Sequence, residues 1–208
     1  MPGLNLPYLL EAALMVVVLL FSVIVHEVAH GYVALLNGDP TARMLGRITL
    51  NPVPHIDPVG TILLPLILLL SHAGILFGWA RPVPVNPLNY RNYRWGEFAV
   101  SAAGPVSNLV LAAVFSLLLR LGLGNVGLVK LASFGVSINI FLALFNLIPI
   151  PPLDGSHILA ILLPRDLARL YAYLEPVGFI LILVLFYTGI LWAIIMPFYR
   201  AIAVLLLG

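Results

Sequence analysis

The chain has 208 residues, of which 62% are hydrophobic and 9% are charged, and its mean hydropathy is +1.12. A soluble globular domain has about 25% charged residues, so this composition excludes that class and indicates an integral membrane protein. The sequence contains no cysteine, which excludes disulfides and thiolate metal ligands, and its scattered net charge of +2 gives no indication of a nucleic-acid partner.

Four apolar runs are long enough to span a hydrocarbon core about 30 Å thick, which takes about 20 helical residues. In chain order they are Tyr8–Leu36, Phe98–Leu121, Gly127–Ile148 and Pro176–Met196. Two shorter apolar pieces are Pro58–Phe77, which contains Pro65, and Ala201–Leu207, which follows an expected helix break at Pro197. The sequence therefore predicts an all-α polytopic membrane protein. We expect a bundle of about four to six transmembrane helices in one domain over residues 1–208.

The segment Pro58–Phe77 allows two topologies. A full crossing would divide the basic residues evenly between the two sides of the membrane, so the orientation would stay undetermined. A re-entrant or interfacial segment instead places seven arginines on one side, namely Arg43, Arg47, Arg81, Arg91, Arg94, Arg165 and Arg169. We favour the second topology because it also brings the polar motifs described below to one membrane face. The positive-inside rule then makes that face cytoplasmic.

The pattern His26-Glu27-Val28-Ala29-His30 lies inside the first apolar run. Residues four apart share a helix face, with Cβ atoms about 5–6 Å apart, so both imidazoles can reach one zinc ion. Each ionisable group near the bilayer centre costs at least about 2.5–3.5 kcal/mol, so three in so short a stretch need a partner such as a metal. The pattern therefore predicts a metal site, with Glu27 beside it and free to act.

A third ligand has to come from another part of the chain, and without cysteine a carboxylate is the natural choice. Asp154 is the best-placed acidic residue because it follows three prolines after an apolar helix that ends near Ile148. Asp57 is the runner-up. Asp154 could also cap the short helix that follows it, through Leu163, and capping does not exclude metal binding.

Two asparagines lie in successive apolar helices of the predicted bundle. Asn108 ends the stretch Gly104-Pro105-Val106-Ser107-Asn108, and Asn146 lies near the end of the next apolar helix. Buried amides need partners, and two interpretations stay open. The amides could bond neighbouring helices, as is common at proline kinks, or donate to a peptide carbonyl whose oxygen becomes negative during hydrolysis. No catalytic role is assigned to the remaining histidines, which are His55, His72 and His157.

These motifs, in this order on apolar helices, resemble the site-2 protease family of intramembrane zinc metallopeptidases. The loops over residues 51–61 and 77–87 resemble the small bacterial and archaeal branch, which lacks PDZ and CBS (nucleotide-sensing) domains. The resemblance implies a set of zinc ligands and catalytic residues. The ligands of one zinc ion would be His26, His30 and Asp154. Glu27 would activate water, and Asn108 and Asn146 would contact substrate or the oxyanion.

The function implied by this resemblance is that of a zinc metalloendopeptidase performing regulated intramembrane proteolysis. It would cut peptide bonds in or near transmembrane segments of membrane-protein substrates. The expected location is a bacterial or archaeal cell membrane, with lipid as a partner and the active site toward the cytoplasm. Two alternatives stay open, a membrane zinc carrier and a catalytically inactive relative that binds membrane proteins. A carrier would need the metal ligands but not Glu27.

Overall fold

The computed structural model describes residues 6–63, 67, 79–122 and 125–208, and the regular structure of these ranges is entirely helical. The α-helices are α1 (Leu6–Leu36), α2 (Thr41–Met44), α3 (Tyr93–Arg120), α4 (Val126–Asn146), α5 (Asp154–Leu162), α6 (Arg165–Ala172), α7 (Gly178–Tyr187) and α8 (Ile190–Leu207). Between α2 and α3 the chain also forms 3-10 turns at Val53–His55 and Pro87–Asn89 and a π-helical turn at Pro58–Leu63.

Four of these helices, α1, α3, α4 and α8, are long and apolar enough to cross a membrane. Helix α3 is central, because it packs against α1, α4 and α5 and also touches α8. Helix α4 packs against α1 and α8. The predicted all-α polytopic fold is therefore confirmed.

Polar contacts show how the long helices run relative to one another. Lys130 Nζ near the start of α4 lies 2.8 Å from Glu11 Oε1 in the first half of α1. Arg120 at the end of α3 donates to the carbonyl of Leu205 near the end of α8. We call the end of the bundle that contains these four residues the far end. The opposite end, where α1 and α4 finish and α3 and α8 begin, we call the site end.

The apolar run Pro176–Met196 is not one helix, so that prediction was wrong. Gly189 has φ 77°, a left-handed conformation that ends α7 and allows α8 to start in a new direction. The break expected at Pro197 was wrong too, since α8 continues through this residue. A proline removes only its own amide donor, and a membrane helix that packs against neighbours on both sides of the proline tolerates the loss.

The re-entrant conformation predicted for Pro58–Phe77 lies largely outside the described residues, and its two flanks are described. Trp79 N donates to Gly60 O at 3.1 Å, and Thr61 Oγ1 donates to Trp79 O at 2.8 Å. The chain before and after the gap therefore lies at the same end of the bundle. The seven arginines expected on one face lie in or beside α2, the stretch before α3, the first turn of α3, and α6, all at the site end.

Candidate metal centre

His26 and His30 lie in the second half of α1, one helical turn apart. His26 Nδ1 lies 2.6 Å from Asn108 Oδ1, and His30 Nδ1 lies 2.7 Å from the carbonyl oxygen of Val100. Both partners are acceptors, so each Nδ1 carries the proton and donates it. A neutral imidazole that donates through Nδ1 has its lone pair on Nε2. The two Nε2 atoms face each other at 3.0 Å.

Asp154 brings a carboxylate oxygen to these two nitrogens. Its Oδ2 lies 3.2 Å from His26 Nε2 and 3.4 Å from His30 Nε2. Asp154 is the first residue of α5, and no side chain forms an N-cap hydrogen bond at the described start of this helix. The capping role considered for Asp154 is therefore not observed.

The donor set fits a divalent zinc ion. Asp154 Oδ2 is buried and has no hydrogen-bond partner among the described residues. Two lone pairs and a carboxylate oxygen that converge without a donor repel one another unless a cation lies between them. A tetrahedral ion with bonds of about 2.0–2.1 Å separates its ligand atoms by about 3.3 Å, close to the three distances observed here. Among the residues that the structure describes, these three side chains form the group able to hold a metal.

Gly104 makes room for the two imidazoles. A Cβ atom at this position would overlap Nε2 of His30 and lie 2.5 Å from Cε1 of His26. Four residues of α3 at spacings of three and four meet the centre or its surroundings on one helix face: Glu97, Val100, Gly104 and Asn108. The glycine is therefore required by close packing of α3 against α1.

Glu27, the residue after His26, contacts the chain that precedes α3. Its Oε2 accepts a hydrogen bond of 2.8 Å from the backbone amide of Val83. The carboxylate is thus held beside the metal centre by a residue far from it in sequence.

Asn108 belongs to a buried polar network that continues behind His26. Its Nδ2 donates to Asn139 Oδ1 at 2.8 Å and to the carbonyl of Ser22 at 3.3 Å. Asn139 in turn donates to Ser22 Oγ at 2.8 Å and to the carbonyl of Gly135 at 2.9 Å. Asn108, Asn139 and Ser22 are each 0% exposed. These contacts favour the interpretation that Asn108 orients His26, and they leave its amide group engaged away from the ligand atoms.

Asn146 lies at the end of α4 and donates through Nδ2 to the carbonyl of Leu142 at 2.9 Å. It is half-buried. The contact with substrate or oxyanion stays a prediction for this residue.

The remaining candidates have other partners. Asp57 accepts hydrogen bonds from the backbone amides of Val59 and Gly60, so its carboxylate is engaged by the turn that follows it. Among the described residues it does not belong to the group of possible metal ligands. Buried His55 pairs through Nε2 with the carbonyl of Thr49, and His72 lies outside the described residues.

Two further acidic residues, Asp39 and Glu97, are buried at the site end. Asp39 is 0% exposed and accepts hydrogen bonds from Thr41, Asn86 and Asn89. Burial opposes its ionisation, but these hydrogen bonds outweigh burial and lower the pKa of Asp39.

Glu97 is 9% exposed and pairs with His157 at 3.0 Å, which links α3 to α5. Its spacing from Val100 and Asn108 on α3 is a signal that sequence analysis could have used. Asn139 and Ser22 were not predicted as part of the site either, although Ser22 lies on the same face of α1 as His26 and His30.

Comparisons with known proteins indicate the family of the chain. Residues 122–185 match the model of Peptidase family M50. The chain also aligns with proteins named "Putative zinc metalloprotease". Among them, YwhC of Bacillus subtilis is 42% identical over 205 residues, which are 94% of this chain and 87% of YwhC.

Rip2 of Mycolicibacterium smegmatis is 31% identical, covering 81% of this chain and 64% of its own length. MJ0611 of Methanocaldococcus jannaschii is 37% identical over 87 residues, 41% of this chain and 46% of MJ0611. No solved structure matches the chain.

Four helices of membrane length, a group of two histidines and an aspartate, and relatives named as zinc metalloproteases place the protein in the class of multi-pass membrane metalloproteases. The chain belongs to peptidase family M50, the site-2 protease family. The names of its relatives imply zinc as the metal, which agrees with the donor set.

Proposed function

We propose that the chain is a zinc-dependent intramembrane endopeptidase that cuts peptide bonds in or near transmembrane segments of membrane-protein substrates. The observation that supports this most is the convergence of His26 Nε2, His30 Nε2 and Asp154 Oδ2 inside a bundle of membrane-length helices. Glu27, the residue after His26, supplies the general base that hydrolysis also requires.

In this proposal His26, His30 and Asp154 hold one zinc ion per chain. When bound, zinc acts as a Lewis acid that polarises a peptide carbonyl and lowers the pKa of water to about 7. Glu27 accepts the proton of the attacking water and later donates it to the leaving amine. The hydrogen bonds that the two Nδ1 atoms donate keep both Nε2 lone pairs directed at one point. Neither imidazole ring therefore has to rotate to bind the metal.

We assign different roles to the two asparagines. Asn108 is a positioning residue that holds the His26 ring, since its Oδ1 contacts His26 Nδ1. Asn146 keeps the predicted role of donor to the developing oxyanion. Its Nδ2 carries two hydrogens, one of which bonds the carbonyl of Leu142. Replacement of Asn146 by alanine should then lower kcat and leave zinc content unchanged.

A peptide within a transmembrane helix has its carbonyls hydrogen-bonded and is shielded from water, so the substrate must unwind locally. We propose that the segment Pro58–Trp95 is the gate or extended edge that receives the unwound substrate. Gly78 lies outside the described residues, whereas the backbone of Trp79 is tied to Gly60 and Thr61. Cleavage rates unaffected by replacement of both Gly78 and Trp79 would contradict this role.

We also propose that the site end faces the cytoplasm of a bacterial or archaeal cell. Seven arginines lie at this end, and cytoplasmic loops of membrane proteins carry an excess of positive charge. The chain has no cysteine, so single cysteines report sidedness without background. A cysteine at Leu88 of the site end, 89% exposed, should react with an impermeant thiol reagent only from the cytoplasm. One at Val126 of the far end, 75% exposed, should react only from outside.

The proposal is tested by cleavage of labelled transmembrane peptides by zinc-loaded protein in proteoliposomes. The wild type should produce discrete fragments, and Glu27→Gln should produce none while retaining its zinc. A zinc carrier would instead move zinc into the vesicles with or without Glu27. Zinc transport by wild type and Glu27→Gln without cleavage would overturn the proposal. Wild-type protein that binds zinc and cuts none of the labelled peptides would overturn it too.

A further inference from the structure

The segment Arg81–Asn89, which we call the strap, crosses beside Glu27 and is fastened on both sides of Val83. On one side, Arg47 Nη2 donates to the carbonyls of Arg81 and Pro82, at 2.8 Å and 3.2 Å. On the other side, Asp39 accepts from the amide of Asn86 at 2.6 Å. Val83 is therefore held between two fixed points.

The Asp39 anchor is itself rigid and charged. Its carboxylate is 0% exposed and also accepts from the side chain of Asn89 at 2.8 Å and from the amide of Thr41 at 3.1 Å. Arg47 is 8% exposed. Hydrogen bonds to buried ionised groups are short and strong, so the strap has little freedom to shift along α1.

The sequence of the strap leaves a single amide donor next to Glu27. Pro82 and Pro84 have no amide hydrogen, so Val83 carries the only backbone donor of this tripeptide. A residue before a proline is confined to extended conformations, and the prolines fix their own φ angles. The Val83 amide is thus presented in one direction, and it meets Glu27 Oε2 at 2.8 Å.

We propose that Val83 is a positioning residue of the peptidase, whose backbone amide holds one carboxylate oxygen of Glu27 so that the other is presented for proton transfer. Asp39 and Arg47 keep this amide in place through the strap. The inference rests on the proposed function, in which Glu27 is the proton acceptor. A glutamate side chain has three rotatable torsions, and a base works only when it is held within hydrogen-bond reach of the proton that it takes.

The contact itself can be tested without any substrate. We would follow hydrogen exchange of valine amides by NMR in zinc-loaded, valine-labelled protein in detergent, with Val83→Ala to assign the signal. Glu27→Ala should speed exchange of the Val83 amide by about tenfold or more, since its acceptor is gone. Glu27→Gln keeps an acceptor oxygen and should preserve most of the protection.

The matched control is the amide of Val59, which donates to the carboxylate of Asp57 at 3.0 Å in the same part of the chain. Its exchange should be the same in wild type and in both Glu27 variants. Equal exchange of the Val83 amide in wild type and Glu27→Ala would overturn the inference, whatever the activity assay shows.

The consequence for catalysis is tested by Val83→Pro, which removes the donor in a stretch that already suits proline. With a transmembrane peptide as substrate, kcat should fall by about tenfold or more while KM and zinc content stay at wild-type values. Val83→Ala keeps the amide and should stay within about threefold of wild-type kcat.

A Val83→Pro protein that binds zinc and turns over at the wild-type rate would contradict the positioning role. If Val83→Pro does not fold, Asp39→Asn tests the same chain of contacts, because it weakens the anchor on Asn86 without touching Val83. Failure of the wild type to cut any peptide would count against the proposed function alone, since the exchange experiment reports on the contact separately.

Discussion

The two ends of the helix bundle differ in their charged side chains, since buried ones occur at the site end and the ion pair at the far end is exposed. At the site end, buried polar groups such as Asp39, Glu97 and Asn108 each bond to another element. At the far end, the ion pair of Glu11 and Lys130 is exposed, with 44% and 52% of the two side chains accessible. A cleft of about 330 Å³ opens beside that pair between α1 and α4.

At the site end the side chains have to adopt one defined geometry, whereas at the far end apolar packing of the helices is enough to hold the fold. A buried polar group is stable only in the arrangement that satisfies it, so each such group at the site end fixes a position as well as contributing stability. An exposed pair accepts many arrangements at similar free energy. We therefore expect substitutions at the site end to affect zinc and turnover, and matched substitutions at the far end to affect neither.

The largest expected effect comes from Gly104→Ala. The added Cβ would overlap His30 and press on His26, so the two Nε2 atoms could not keep their 3.0 Å separation. Zinc per chain, measured by atomic absorption on folded protein, should fall to near zero, and cleavage should stop.

The matched far-end control is Gly127→Ala. A Cβ there would approach only Asn125 Oδ1, at 3.3 Å, among the described atoms. That variant should keep its zinc. If both alanine variants bound zinc like the wild type, close packing of α3 on α1 would not be what shapes the centre.

A smaller loss is expected from Asn108→Leu. The substitution removes the acceptor of His26 Nδ1 and leaves Asn139 short of one partner, so the imidazole loses its fixed orientation. We expect zinc affinity to fall by about 10–100-fold, as measured by competition with a chelator.

Ser116→Ala is the control on the same helix, because Ser116 is also buried and donates to another helix, at the carbonyl of Leu206, but at the far end. It should leave zinc affinity unchanged. Equal affinity of Asn108→Leu and wild type would show that His26 does not need Asn108.

The histidine pair and the long helices could be predicted from the sequence because both depend on short-range patterns. Imidazoles four residues apart and runs of about 20 apolar residues are visible in the chain itself. The sequence singled out His26, His30 and Asp154, and the structure places their ligand atoms within 3.4 Å of one another.

The hydrogen bonds that orient this centre could not be predicted. The carbonyl of Val100 and the amide of Val83 are backbone groups, which every residue has, so no residue type marks them. The burial of Asp39 and Glu97 was not predicted because their partners lie up to 60 residues away. The break at Gly189 was missed because the runs on both sides of this glycine are equally apolar.

The Glu97–His157 pair predicts a modest pH dependence of stability at the site end. Its hydrogen bond with Glu97 raises the pKa of His157 above the ordinary value of about 6.5. The folded state then binds the proton more tightly than the unfolded state. The added stability is fully present below about pH 6.5 and is lost as the pH rises through the folded-state pKa.

The melting temperature of the wild type should therefore decline relative to His157→Gln as the pH rises above about 6.5. The effect is small because 55% of the His157 side chain is exposed. Parallel curves for the two proteins would mean that the pair contributes nothing to stability.

The smallest effect is expected for Lys130→Gln at the far end. Exposed ion pairs typically contribute about 0.2–1 kcal/mol, and salt screens them. The free energy of unfolding in detergent should change by less than about 1 kcal/mol, with unchanged zinc content. A change of several kcal/mol would mean that the far end depends on its charges as the site end does.

The most direct test of the central claim, that His26, His30 and Asp154 form the metal centre of a peptidase, is the zinc content of purified wild type, Glu27→Gln and Asp154→Ala. We predict one zinc per chain in the wild type and in Glu27→Gln, and loss of zinc from Asp154→Ala. Full zinc in Asp154→Ala, or none in folded wild type, would contradict the ligand set.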